Sequence, residues 1–159
     1  MKKLTIITFC TILALAVFAT CAGGATIGDS QAATRGSEDG FNEYTGKELI
    51  LSEFRSSGKT VSISRKNNDM GDIYTINFQN GRVNGKGAPN TFFGPYTVNG
   101  NMLNIGPLAS TLMAAIIEPD ELKEHEYFEY LDKVTKWDIS KGNLELYSSN
   151  GVVLVFTLK

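Results

Sequence analysis

Cysteine, histidine and basic runs are scarce in this chain, and each scarcity removes a class of function. Both cysteines, Cys10 and Cys21, lie near the N-terminus. Residues 22–159 therefore cannot form a disulfide or a thiolate metal site. The one histidine, His125, is too few for a histidine-based metal centre, and no metal or cofactor is expected. The formal net charge is −2 and no long lysine–arginine run occurs, so nucleic acid is not an expected partner.

The first 21 residues have the order of a secretory signal. Lys2 and Lys3 precede an uncharged stretch, residues 4–18, and small residues follow up to Cys21. A membrane-spanning helix needs about 20 apolar residues, so this stretch is short for a permanent span. We therefore predict an export signal over residues 1–21 whose apolar stretch is removed by cleavage, with an uncleaved N-terminal anchor as the weaker alternative.

Cys21 stands where a bacterial lipoprotein signal places its modified cysteine. The stretch from Val17 to Cys21 resembles a lipobox, although Phe18 and Thr20 depart from the commonest residues. This pattern predicts lipid attachment at Cys21 and a membrane-anchored protein of the cell envelope. The alternative is plain secretion, or a soluble periplasmic protein, with cleavage after Ala22 or Ala25.

The rest of the chain divides into a tether and one domain. Residues 22–44 are rich in glycine, alanine and serine and lack a periodic apolar pattern, which predicts a flexible tether. Residues 45–159 have the length of a single domain.

Short alternating segments and tight turns dominate this domain. Asn80-Gly81 and Asn99-Gly100-Asn101 are hairpin signals between β-forming runs. The pattern predicts a mainly β fold, a small antiparallel β-barrel or meander, with one packed α-helix. The predicted strands are residues 48–54, 61–64, 74–78, 82–84, 91–93, 96–98, 102–105, 136–139, 144–147 and 152–158.

The helix is predicted over residues 119–134. Tyr127, Tyr130, Leu131 and Val134 recur at helical spacing and form one apolar face. Glu121, His125, Glu129 and Asp132 fall on the opposite side. This acidic side is a possible surface for a protein partner, although such charge runs are usually only solvated.

Residues 85–115 contain the densest group of glycine, asparagine and aromatic residues. Within them, Asn90, Gly94 and Tyr96 form an N-x-x-x-G-x-Y pattern, and Thr111 and Met113 belong to a T-x-M-A pattern. With the upstream stretch GKELIL at residues 46–51, these motifs resemble the META domain family, which includes the HslJ-like proteins of bacterial envelopes. The resemblance covers residues 45–159 and implies an HslJ-like barrel of lipocalin-like topology.

Three positions depart from the family pattern. Leu49 replaces the opening tryptophan, and Pro89 and Ala115 replace cysteines that the family often carries. These losses speak against a thiol or metal role. Asparagine side chains commonly tie turns and strand aromatics commonly fill cores, so the motif residues are predicted to be structural.

No nucleophile–base pair, metal set or phosphate loop is evident, so no enzyme activity is expected. The resemblance implies a non-catalytic envelope lipoprotein with a structural, stress-related or partner-binding role. The alternative is a carrier that holds a small molecule or lipid inside the barrel, which requires an open apolar interior.

Overall fold

A computed structural model describes residues 38–63, 66–67, 71–114 and 119–159 of the chain. These residues contain two helices and twelve strands. The elements are α1 (Glu38–Asn42), β1 (Leu49–Ser56), β2 (Lys59–Ser62), β3 (Lys66–Asn67), β4 (Gly71–Asp72), β5 (Thr75–Gln79), β6 (Arg82–Lys86), β7 (Thr91–Asn99), β8 (Met102–Ile105), β9 (Ala109–Ser110), α2 (Glu124–Asp132), β10 (Val134–Ser140), β11 (Asn143–Ser148) and β12 (Val153–Leu158).

Eight antiparallel strands close into a barrel. The strand order is β12-β11-β10-β8-β7-β6-β5-β1, and β12 pairs back onto β1. Consecutive barrel strands in the chain are therefore neighbours in the barrel. The remaining strands lie outside this order: β2 pairs with β1, β9 pairs with β7, and β3 and β4 form a separate two-stranded sheet. The predicted small antiparallel barrel is therefore confirmed, and its topology is an up-and-down meander.

The two hairpins predicted at Asn80-Gly81 and at Asn99-Gly100-Asn101 form between β5 and β6 and between β7 and β8. Asn80 and Gly81 between β5 and β6 both have positive φ, 51° and 72°. A two-residue turn of this kind twists in the same sense as the strands that it joins, which explains the Asn-Gly pair.

The interior is filled by the barrel's own side chains. Along β7 the residues alternate, and Phe92 and Gly94 are buried while Phe93 and Pro95 are exposed. The largest fully buried side chains come from all around the wall, including Trp137, Tyr74, Phe78, Phe156, Leu49, Leu51, Ile76 and Leu103. Burial of this much apolar surface is the main source of stability, at roughly 25 cal/mol per Å².

The two helices pack at opposite ends of β5. At one end, Tyr127 of α2 contacts Tyr74 with ring centroids 5.0 Å apart. At the other end, Phe41 of α1 packs edge-on against Phe78 at 5.1 Å and also contacts Trp137 at 5.2 Å. Side chains from the helices therefore close the barrel at both ends.

The structure moves two predicted boundaries. The tether was predicted to reach residue 44, yet Phe41 and Tyr44 are only 2% and 4% exposed, and the Tyr44 hydroxyl donates to the Gly142 carbonyl at 3.0 Å. Residues 38–44 therefore belong to the folded domain. The main helix begins at Glu124, five residues after the predicted start at Pro119.

The predicted signal and lipid-attachment site at Cys21 lie outside the described residues. In the part of the chain that the structure does describe, no helix has the length and apolar character needed to cross a membrane.

Candidate functional site

The motif residues meet where three chain segments converge at the α2 end of the barrel. The first segment is residues 87–90, which lead into β7 through a cis Ala88–Pro89 peptide bond. The second is residues 111–113, which follow β9, and the third is the first turn of α2. We call the hydrogen-bonded group formed by Asn90, Thr111, Met113 and Glu124 the Asn90 joint.

Asn90 uses all four hydrogen-bonding positions of its side chain. Its Oδ1 accepts from the Thr111 hydroxyl and from the Met113 backbone N–H, each at 2.7 Å. Its Nδ2 donates to the Met113 carbonyl at 3.1 Å and to Glu124 Oε2 at 2.6 Å. Because an amide offers two donors and two acceptors, this buried side chain is fully satisfied.

Glu124 supplies the negative charge of the joint. Its side chain is buried, and Oε1 accepts from the backbone N–H groups of Ala88 at 2.5 Å and Asn90 at 2.6 Å. Together with the bond from Asn90 Nδ2, three donors surround this carboxylate. A buried carboxylate is tolerated only when such donors replace its water shell.

Gly87 makes room for this carboxylate. A Cβ atom at Gly87 would overlap Glu124 Oε1 and would come within 2.8 Å of Glu124 Cγ and 2.9 Å of Cδ. Glycine is therefore required at position 87 by the close approach of Glu124 to the backbone.

Gly94 and Tyr96, the other two motif residues, lie away from the joint. A Cβ at Gly94 would meet the Pro107 carbonyl oxygen at 3.0 Å and Leu108 Cδ2 at 2.9 Å, so glycine lets the 106–108 segment pass close to β7. The Tyr96 ring contacts Phe78 at 5.1 Å and Phe41 at 5.9 Å in the aromatic group near α1. The structure thus brings together Asn90, Thr111 and Met113 but not Gly94 and Tyr96.

Sequence reasoning missed Glu124. Glu121, Glu129 and Asp132 were assigned to the solvent side and Glu124 was given no role. In the structure Glu124 shares the buried face with Tyr127 and Leu131. Glu124 precedes Tyr127 by three residues and Leu131 by seven, which places it on the same helix face. This spacing could have identified it, because an acid on an apolar face needs a buried partner.

The exposed side of α2 carries His125 and Glu129. A hydrogen bond from Lys133, together with its charge, lowers the pKa of Glu129. Within the described ranges, no group of three or more histidine, cysteine or acidic residues is arranged to hold a metal ion.

A second polar network lies on the outer wall of the barrel, over β1, β11 and β12. Glu145 is buried and accepts from Arg55 Nη2 at 2.5 Å and from the Tyr147 hydroxyl at 2.6 Å. Burial, together with the hydrogen bond to the Glu145 carboxylate, raises the pKa of Tyr147 to about 12. Lys136 Nζ lies 5.4 Å from the Tyr147 ring centroid, so charged groups flank this tyrosine on two sides.

These features define a class of protein domain. It is a small antiparallel barrel that is filled by its own side chains and is connected to a helix by the buried Asn90 joint. The META domain model matches residues 42–159, and the chain therefore belongs to the META domain family. The family resemblance predicted from the central motifs is confirmed.

Two solved structures share the fold. An NMR structure of a protein from Burkholderia xenovorans is 18% identical, with a TM-score of 0.62 and coverage of 90% of this chain and 99% of that chain. Another NMR structure is 20% identical over 74% of this chain and 92% of that chain, with a TM-score of 0.52. At these identities the likeness concerns the fold alone. A search of curated proteins found no match.

Proposed function

We propose that the protein is an exported, non-catalytic lipoprotein of the cell envelope, anchored to a membrane by lipid on Cys21. Its META domain serves a structural, stress-related or partner-binding role. The order of charged, apolar and small residues before Cys21 supports the anchor. The family resemblance supports the envelope role by analogy.

One observation carries the non-catalytic part of this proposal. The polar side chains of the Asn90 joint bind one another and the nearby backbone, since Asn90 fills all four of its hydrogen-bonding positions and Glu124 accepts three bonds. Groups that act on a substrate must keep a donor, an acceptor or a nucleophile available to it. The Asn90 joint is therefore suited to hold chain segments together rather than to react.

The filled interior weighs against the carrier alternative. Trp137, Phe78 and Tyr127 are fully buried in the barrel or at its α2 end. A ligand of drug-like size needs several hundred Å³ of open, mostly apolar space. Native mass spectrometry of protein purified without detergent should give the mass of the polypeptide alone, and a copurified ligand would favour the carrier.

The exposed face of α2 is the part of the domain that we assign to a protein partner. His125, Glu129 and Asp132 are exposed there, while Tyr127 and Leu131 hold the opposite face in the core. An acidic face held rigidly in this way can steer a basic partner by long-range attraction.

Intact-mass analysis of the membrane fraction tests the anchor. We expect an N-terminus at Cys21 that carries lipid, and we expect the Cys21→Ser variant to lose both the lipid mass and the membrane association. An unmodified N-terminus at Ala22 or beyond would instead establish plain secretion.

A further inference from the structure

A shallow groove crosses the outer wall of the barrel over β1, β5, β6 and β7. It consists of two adjoining hollows of about 300 and 360 Å³. The hollows share Glu48, Thr75, Asn84 and Gly85, so they form one continuous feature. The groove is separate from the Asn90 joint and from the exposed face of α2.

Strand register places one acidic, two amide and one aromatic side chain in a single row across this groove. Asn77 of β5 pairs with Asn84 of β6, and Asn84 pairs with Phe93 of β7. Glu48 directly precedes the Leu49–Ile76 pair of β1 and β5, so it stands beside Asn77. Adjacent strands lie about 4.8 Å apart, and the row therefore offers a carboxylate, two amides and an aromatic ring at regular intervals.

The amides in this row have unused hydrogen-bonding capacity. Neither Asn77 nor Asn84 makes a side-chain hydrogen bond with the described part of the chain, and the same holds for Gln79 at the edge of the groove. Each of these amides offers two donors and two acceptors. This contrasts with Asn90, whose amide is fully engaged within the fold.

Charge at the groove is nearly balanced. The carboxylate of Glu48 accepts from Lys159 Nζ at 2.8 Å through Oε2, and Lys159 also reaches Asp72 at 3.1 Å. Lys86 is the one basic residue among the described residues lining the two hollows, so an anionic ligand would meet Glu48, while a cationic ligand would meet Lys86 and would have to compete with Lys159. The site therefore favours a neutral ligand that is rich in hydrogen-bonding groups.

Phe93 adds an apolar surface at the end of the row. Its side chain is 51% exposed, and the Arg82 guanidinium lies 5.6 Å from the ring centroid. This cation–π contact holds the ring in place beside the amides. An exposed, fixed ring next to polar groups suits a ligand with both a C–H face and a hydroxyl edge.

We propose that this groove, formed by Glu48, Asn77, Asn84 and Phe93, binds a neutral oligosaccharide. Sugar hydroxyls both donate and accept hydrogen bonds, as the amides do, and the C–H face of a sugar ring packs against an aromatic ring. An added peptide strand is disfavoured because β5 and β6 are already paired on both sides. This inference goes beyond the envelope role and is independent of lipid attachment.

The test is an NMR titration of the chain from residue 22 onward with a β-1,4-linked tetramer of N-acetylglucosamine, and with a tetramer of glucose in a parallel experiment. We expect saturable shifts of the Asn77 and Asn84 side-chain amides with at least one sugar, at a dissociation constant near 1 mM or below. Asn84→Ala and Phe93→Ala should each weaken binding about tenfold, which corresponds to about 1.4 kcal/mol.

Matched controls lie on β8, outside the groove. Asn104 and Met102 are exposed there, and Asn104→Ala and Met102→Ala should leave the dissociation constant within about twofold. All four variants should keep the wild-type melting temperature to within a few degrees, because these side chains are exposed.

Three results would overturn the assignment. The first is no binding of either sugar up to about 10 mM. The second is shifts that fall outside the groove or survive Asn84→Ala and Phe93→Ala. The third is a neutral asparagine- and serine-rich peptide that binds the groove more tightly than both sugars. Because the titrated chain lacks Cys21, failure of lipid attachment would leave the result unaffected.

Discussion

Replacement of Glu124 by glutamine should destabilise the domain far more than its small change in shape suggests. The glutamine carbonyl can still accept from the Ala88 and Asn90 backbone N–H groups, but its NH₂ group replaces the oxygen that faces Asn90 Nδ2 at 2.6 Å. Two donors then oppose each other. Asn90 cannot turn its amide over, because its Oδ1 must accept from Thr111 and Met113.

The expected cost follows from the bonds that change. One charge-assisted hydrogen bond is lost, worth about 1.5–3 kcal/mol, and the other two become neutral bonds of about half the strength. The neutral side chain recovers part of this loss, because it is cheaper to bury than a carboxylate. We therefore expect Glu124→Gln to lower the free energy of unfolding by about 2–4 kcal/mol.

Urea unfolding measures this change directly. Trp137 is fully buried and lies outside the joint, so its fluorescence reports global unfolding, and circular dichroism provides the second probe of two-state behaviour. Glu129→Gln is the control, because Glu129 is an exposed acid on the same helix and its surface pairing with Lys133 contributes little to stability. A loss below about 0.5 kcal/mol for Glu124→Gln would refute the reasoning.

Three further perturbations probe other parts of the domain. Gly87→Ala should destabilise by about 1–3 kcal/mol in urea unfolding because the new methyl overlaps the Glu124 carboxylate, and an unchanged midpoint would contradict that packing. Truncation after Asn150 removes β12, which pairs with both β1 and β11, and should abolish cooperative melting; a soluble fragment with a sharp thermal transition would sink this prediction. The raised pKa of Tyr147 makes stability fall as pH rises through the interval from about 10 to about 12, because the unfolded phenol ionises first. In the Glu145→Gln variant the Tyr147 phenol should ionise at lower pH, as followed by tyrosinate absorbance, and an identical titration would argue against the pairing of these two side chains.

The strands and hairpins were predictable because their signals are local. Alternation with period two specifies which face of a strand is buried, and Asn-Gly pairs favour the positive φ that a tight turn needs. The apolar run in β12 is likewise typical of a strand paired on both sides, and β12 pairs with β11 and closes the barrel against β1. What these signals could not supply was the start of the folded region. Phe41 and Tyr44 are two aromatics in a glycine-rich stretch, and their contacts lie far along the chain. Phe41 packs against Phe78 and Trp137, and the Tyr44 hydroxyl donates to the Gly142 carbonyl.

The Asn90 joint shows a different limit. Its members were visible as motif residues, but motif membership does not tell which groups face one another. Asn90 and Glu124 are 34 residues apart, and the barrel must close before they meet. The Asn90 side chain was expected to cap or tie a turn, whereas here it binds two distant segments. Local reasoning therefore identified the residue and missed its partner.

The geometry of the joint also explains how the chain does without a cysteine at position 89. The Glu124 carboxylate is held by the backbone N–H groups of Ala88 and Asn90, which flank that position, and by the Asn90 amide. None of these three bonds uses the side chain at position 89. Proline has no N–H to donate, and the joint does not require one there. Similarly, Leu49 is fully buried at the position of the family's tryptophan, so leucine supplies the apolar side chain that the core needs there. These two departures, Pro89 and Leu49, thus fall at positions where this fold needs backbone or bulk, while the amide of Asn90 and the absence of a side chain at Gly87 have no such substitute.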